Sequence, residues 1–255
     1  PLVLITSSYA RNGTAGEWRD YGLRLPGGLE GVDMDAKPGP DLDWDMWLGW
    51  KWGLAPKREW QPARFFQFRC YWDYSGGIAT DLFFHQLAHI LKATNLRFPD
   101  RVTGSGGIYV FGPSHTTPQG WKDDREVPDT YSTTIDYPGG PTIVMASSMG
   151  NNHGITEEIR GHLGTVVYTA EGAVIQPQGI NPRKEAITIK RTRSGTEADH
   201  WANFLECVRN RTPAKCDCSV ELGYYTNVAI SMGILSYRQQ TMFKWDNERE
   251  EARPA

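Results

Sequence analysis

Apolar and polar residues change period along the chain, and the changes mark out its elements. Leu2–Tyr9 reads as a strand that runs into a polar turn at Arg11-Asn12-Gly13. From about residue 10 to residue 62 no period holds, and Gly27-Gly28, Pro38-Gly39-Pro40 and Pro56 punctuate the stretch. A loop of that length in a compact domain is usually functional. Within it, residues 41–49 predict a short capped helical turn that directs Trp44, Trp47 and Leu48 inward. An aromatic segment then reaches Gly76-Gly77, where the chain can turn without a Cβ penalty, and a helix follows that should end near Asn95.

Beyond that helix, residues 101–111 predict a strand interrupted by Gly104, Gly106 and Gly107, which suggests a bulge or a close backbone approach. Alternation over 130–137 and 142–149, joined by Pro138-Gly-Gly-Pro141, predicts an antiparallel hairpin. Further strands are expected at 156–160, 165–169, 173–177 and 186–191, with a tight turn at Glu171-Gly172. Two helices should follow, 197–210 with Trp201, Phe204, Leu205 and Val208 on one stripe, and Ser219 to about Gln239 with Leu222, Tyr225, Ala229, Met232 and Leu235 on another. The charged tail from about residue 246 is expected to fray. The pattern is that of one α+β domain over residues 1–255, a large, mainly antiparallel, open-faced sheet with helices packed on one side.

Composition narrows the function. With 255 residues the chain can bury a full core. A net charge of −3, from 27 basic and 30 acidic residues, with no basic run, argues against nucleic acid as a partner. No apolar run approaches the roughly 18 residues of a membrane span, and the amino terminus lacks a signal-peptide pattern. A cytoplasmic location is expected, or a periplasmic one if an upstream leader was removed. The four cysteines, Cys70, Cys207, Cys216 and Cys218, do not suggest a disulfide scaffold, and their spacing fits no zinc pattern. Most of the ten tryptophans fall in polar, Gly- and Pro-rich stretches, where rings on loops often build ligand sites.

Asp81, His85 and His89 recur at i, i+4 and i+8, which places them on one helical face. A carboxylate below an imidazole is an acid/base arrangement. It is equally the pattern of a capping aspartate followed by hydrogen-bonded, partly buried histidines. A metal site on the three is a further reading, although the glutamate that follows the first histidine in a zinc protease is missing. The glycines of residues 104–107 do not make a dinucleotide fingerprint, because no helix pattern follows them.

The order and spacing of residues 7–12, 42–49, 74–81, 161–165, 203–209 and Trp245-Asp246 resemble the carboxy-terminal half of the Gfo/Idh/MocA oxidoreductases. That resemblance implies an open-sheet domain that binds substrate and mediates homo-oligomerisation through the sheet. It also implies that NAD or NADP is held mainly by an amino-terminal Rossmann domain, expected to be absent here with its Glu-Lys-Pro motif, so that this chain alone should be inactive. Gly76, Gly77, Asp81 and His85 match the family's substrate-flanking pattern, whereas Phe83 and Ala88 stand where glycine and a second aspartate are usual. The chemistry implied is oxidation of a secondary alcohol of a sugar or polyol. His85 would serve as base, since an imidazole with a pKa of about 6.5 suits proton transfer near neutrality, and Asp81 would fix its tautomer; His89 is assigned a structural role. Substrate contacts are expected from Arg11, Asn12, Arg69, Tyr71 and Tyr74. A glycosidase of the same fold with transient redox chemistry, or a carbohydrate-binding module, are the alternatives.

Overall fold

A computed structural model describes residues 1–21, 33, 35–192 and 195–255; the Gly27-Gly28 turn expected from sequence lies outside them. Among the described residues ten strands form one sheet: β1 (Leu2–Ser7), β2 (Arg101–Gly107), β3 (Thr130–Asp136), β4 (Thr142–Ser148), β5 (Glu158–Gly161), β6 (Gly164–Thr169), β7 (Gly172–Pro177), β8 (Ile187–Lys190), β9 (Phe243–Asp246) and β10 (Glu251–Pro254). Their order is β10-β9-β2-β3-β4-β1-β5-β6-β7-β8. Every pairing is antiparallel except β1 with β4. The helices are α1 (Trp44–Leu48), α2 (Pro62–Phe66), α3 (Phe84–Thr94), α4 (Glu197–Asn210) and α5 (Val220–Gln239). The expected α+β architecture is therefore the observed one.

The alternation read from sequence decides which face is covered. Tyr131, Thr133 and Ile135 of β3 and Ile143, Met145 and Ser147 of β4 are buried, beneath α3 and α5. Leu87, Ile90 and Leu91 of α3 and Ala229 and Met232 of α5 close the core from above, each large side chain worth about 1.5–3 kcal/mol when fully buried. Gly104 explains how closely α5 lies on β2, since a Cβ there would sit 2.2 Å from the Gly233 carbonyl oxygen. In that gap the Gly104 N–H donates to Ser236 Oγ at 2.9 Å. The opposite face carries Ser132, Thr134, Thr142, Val144, Ala146 and Ser148, all half-buried and mostly small and polar.

Three expectations change. The tail does not fray: β9 and β10 pair Asp246 with Glu251 and Trp245 with Ala252. Asp246 accepts from the Glu248 and Arg249 N–H groups in the turn, and Trp245 stacks on Phe98 at 5.2 Å. The alternating charges there satisfy an edge hairpin instead of keeping the chain in water. Trp47, expected to point inward with Trp44, is 37% exposed while Trp44 and Leu48 are buried. The stripe of α4 exists, but Trp201, Phe204, Leu205 and Val208 are exposed.

Candidate functional site

The site is built where the loop leaving β1 meets the segment leading into α3. Gly77 adopts φ +61°, and a Cβ on Gly76 would meet Ile234 Cδ1 at 2.2 Å, so the glycine pair both turns the chain and lets it lie against α5. Ala79–Phe83 then form a π-helical turn before α3 begins. Such widened turns occur often at functional sites. Asp81 sits in it, with Oδ1 accepting from Arg69 Nε at 2.5 Å and Oδ2 from the Trp18 indole N–H at 3.1 Å. Arg69 in turn lies over the Phe68 ring at 4.6 Å.

His85, one turn further on, is exposed. Its ring centroid is 6.4 Å from that of Tyr9, and no described residue hydrogen-bonds its ring. The pairing of Asp81 with His85 that would fix the tautomer is not formed. Arg69 and Trp18 take both carboxylate oxygens, and the wider π turn puts Asp81 out of step with α3. Tyr9 links His85 to the loop, because its hydroxyl accepts from Arg11 Nη2 at 3.2 Å and its ring lies 4.9 Å beneath the Arg11 guanidinium.

Arg11 also pairs with Glu17. Burial raises the Glu17 carboxyl above its ordinary pKa, Asp20 and Asp81 add to the effect and Arg11 opposes it. The Tyr21 phenol is likewise raised by burial, against Arg69 and with Asp81, Asp20 and Glu17 reinforcing. Arg11, Glu17, Asp20, Tyr21, Arg69 and Asp81 thus share one electrostatic neighbourhood, with His85 reached through Tyr9. Tyr9, Glu17, Trp18 and Tyr21 were not singled out from sequence. The run Glu17-Trp-Arg-Asp-Tyr21, dense in charge and aromatics inside an irregular loop, was the available sign.

The remaining candidates fall elsewhere. Asn12 is exposed and forms an isolated antiparallel bridge with Gly150. Tyr71 does not face the site: it is fully buried, with its hydroxyl accepting from Arg19 Nη1 at 3.1 Å and donating to Asp124 Oδ1 at 2.9 Å. It belongs to a buried ionic network whose aromatic member could not be told from a ligand-facing ring by sequence. Tyr74 is half-buried, its ring 4.9 Å from Trp47 and 6.4 Å from Tyr71.

His89 is not a core residue. Its Nε2 lies 2.6 Å from Glu157 Oε1 and its Nδ1 3.1 Å from the His85 carbonyl oxygen, while Ser7 Oγ donates to Glu157 Oε2 at 2.7 Å. Hydrogen bonding to Glu157 raises the imidazole pKa against the opposing effect of burial. With Asp81 and His89 engaged by different partners, the histidine-rich face does not converge on a metal, and among the described residues no three His, Cys, Asp or Glu side chains gather to hold one.

A dinucleotide needs glycines that open onto a helix amino terminus. Here a Cβ on Gly104 would meet the Gly233 carbonyl and one on Gly106 the Thr130 carbonyl, each at 2.2 Å. These glycines seat α5 and β3 and do not form a phosphate cradle. Among the described residues no helix is long and apolar enough to cross a membrane.

Residues 18–95 match the model of an oxidoreductase family, C-terminal alpha/beta domain, of Gfo/Idh/MocA type. No protein of curated function matches the sequence. Among solved structures, levoglucosan dehydrogenase in complex with NADH and levoglucosan aligns with a TM-score of 0.57 and 11% identity, over 95% of this chain and 58% of that one. The aldose-aldose oxidoreductase from Caulobacter crescentus, complexed with glycerol, gives 0.55 and 12% over 96% and 56%. An NAD-binding protein from Listeria innocua gives 0.52 and 14% over 95% and 55%. At these identities the likeness is one of fold, and the chain spans little more than half of each relative. Residues 18–95 thus match the C-terminal alpha/beta domain of that oxidoreductase family in sequence, and nearly the whole chain shares the fold of the C-terminal part of these oxidoreductase structures.

Proposed function

We propose that this chain is the substrate-binding and oligomerisation domain of an NAD(P)-dependent oxidoreductase acting on a secondary alcohol of a sugar or polyol. The observation that carries the reading is His85: an exposed imidazole without a protein hydrogen-bond partner among the described residues, one turn beyond an aspartate that Arg69 and Trp18 hold fixed. An unpartnered ring nitrogen can accept a hydroxyl proton, whereas a paired one would first have to exchange partners.

Asp81 and Arg69 then act on the neighbouring hydroxyls. Asp81 presents acceptor lone pairs that its two donors leave unused, and Arg69 retains N–H donors beyond the one given to Asp81. Arg11 and Glu17 supply a second donor and acceptor at the loop. Oriented this way, the substrate places its reacting hydroxyl on His85, which takes the proton as the carbon is oxidised. In this reading NAD or NADP is held mainly by residues outside this chain, in keeping with Gly104 and Gly106 being closed by α5 and β3, and this chain's part is the alcohol side of the reaction.

The polar, half-buried sheet face formed by Ser132, Thr134, Thr142 and Ser148 is the surface proposed for homo-oligomerisation. Light scattering that shows only a monomer at tens of micromolar would refute that part. The catalytic part is tested by His85→Ala in the complete enzyme with NAD(P) and a panel of sugars and polyols. A fall in kcat of about two to four orders of magnitude is expected for loss of a positioned base. Unchanged turnover would remove His85 from the mechanism.

A further inference from the structure

Building on that reading of the Asp81–His85 site, we infer that the aromatic surface beside Arg69 is a second sugar-ring subsite with Trp47 as its platform, so the substrate is a β-linked glycoside of two or more rings. Trp47 is 37% exposed although it sits among four other rings. One face stacks on Trp44 at 5.0 Å and 12°, and the rings of Phe65, Phe68 and Tyr74 stand around it at 5.3, 6.5 and 4.9 Å.

The support beneath it is rigid. Trp44 is buried, its indole N–H donates to the Arg58 carbonyl at 2.9 Å, and Trp60 meets it edge-on at 5.1 Å. The short helix that carries both rings is closed at each end, by the Asp43 side chain accepting from the Met46 N–H and by Gly49 in the left-handed region. A side chain needed only for packing would be covered as Trp44 is. Exposure here persists despite surroundings that would bury the ring, so its open part is a fixed surface. Trp52, exposed on the same segment, has no ring partner among the described residues and lacks this support.

Continuity ties the platform to the site. Phe68 meets Trp47 edge to face at 6.5 Å, its ring lies 4.6 Å from the Arg69 guanidinium, and Arg69 holds Asp81. A ligand whose first ring is bound at Asp81 and His85 would extend over Phe68 onto Trp47. The negative face of an aromatic ring attracts the weakly positive C–H groups of a pyranose. That match is best for sugars with mainly equatorial hydroxyls, whose C–H face is unbroken, and β-linkage keeps successive rings extended. The hydroxyls at the ring edge would meet the 2.7 Å Arg58–Asp73 ion pair, whose members adjoin the platform: the Arg58 carbonyl accepts from Trp44, and Asp73 precedes Tyr74, which packs on Trp47.

The test is calorimetry on the full chain with methyl β-D-glucopyranoside and methyl β-cellobioside, for wild type, Trp47→Ala, Trp47→Phe and Asp81→Asn. The two-ring ligand should bind about tenfold more tightly than the one-ring ligand, the scale of one aromatic contact. Trp47→Ala should abolish that difference and leave one-ring affinity unchanged. Trp47→Phe, which preserves a ring and the fold, should retain part of it, and Asp81→Asn should weaken both ligands. A one-ring ligand that responds to Asp81→Asn, with no two-ring advantage in wild type, overturns the subsite and leaves the site reading standing. Failure of folded wild type to bind either sugar overturns both. Trp47→Ala that changes self-association but not the two-ring advantage would assign the ring to protein docking and overturn the subsite.

Discussion

Arg19→Met should unfold the protein about 3–4 kcal/mol more easily, and the figure follows from what the guanidinium touches. Its side chain is 0% exposed, and it donates to Asp123 at 3.0 Å, Gln67 at 2.8 Å, Tyr71 at 3.1 Å and Asp124 at 2.7 Å. Removing one partner of a buried ion pair costs about 3–5 kcal/mol. The lower part of that range applies, because Asp123 keeps the Arg125 guanidinium, with Nη2 at 3.1 Å and Nε at 3.2 Å, and is not left bare. Gln67 Oε1 loses its donor, which adds about 1–3 kcal/mol for an unsatisfied buried acceptor. The methionine chain offsets part of this by refilling the space of the arginine stem. Asp124→Asn is the control: its side chain is 59% exposed, so loss of its charge should cost under about 1 kcal/mol. Urea unfolding followed by tryptophan fluorescence and far-UV circular dichroism measures both variants. An Arg19→Met midpoint within about 1 kcal/mol of wild type would mean that the network enclosing Tyr71 does not support the fold.

Three further outcomes are expected. The His89–Glu157 pair should stabilise the fold in a bell-shaped manner: His89, raised from 6.5, contributes fully below that value and loses its contribution as pH rises through the folded pKa, while Glu157, lowered from 4.5, contributes above that value and loses it as pH falls through its own. Stability should therefore depend on the pair most between about pH 4.5 and 6.5, by under about 1 kcal/mol because the imidazole is partly exposed, and a difference between wild type and Glu157→Gln that does not vary with pH would refute it. Gly104→Ala should destabilise by roughly 2–3 kcal/mol, since its Cβ would force α5 off β2 against the Gly233 carbonyl; a thermal midpoint equal to that of wild type would show that the helix can slide. Asp81→Asn in the complete enzyme should lower kcat/KM for sugar while leaving the circular dichroism spectrum intact, and an unchanged kcat/KM would confine Asp81 to holding Arg69 and Trp18.

What could be read from sequence was set by how far away the deciding partner lies. The β3–β4 hairpin is specified by period-2 alternation and its own Pro-Gly turn, and α5 by the Ser219 cap that accepts from the Leu222 N–H; in each case the deciding contacts fall within the segment. The β9–β10 hairpin was missed because its anchors are remote: β9 pairs with β2, and Trp245 stacks on Phe98. The same distinction runs through the site. Helical spacing correctly put Asp81 and His85 on one segment, yet Asp81 is claimed by residues 12 and 63 positions away, and His89 by a glutamate 68 positions away. Tyr71, which looked like a loop ring open to ligand, is enclosed by an arginine whose aspartate partner stands 104 positions further along the chain. Spacing identifies which side chains share a face, but burial and long-range partners decide which of them stay available. By that criterion His85 and Trp47 stand out, the first because no described residue bonds its ring, the second because four rings fix it in place and still leave part of it open.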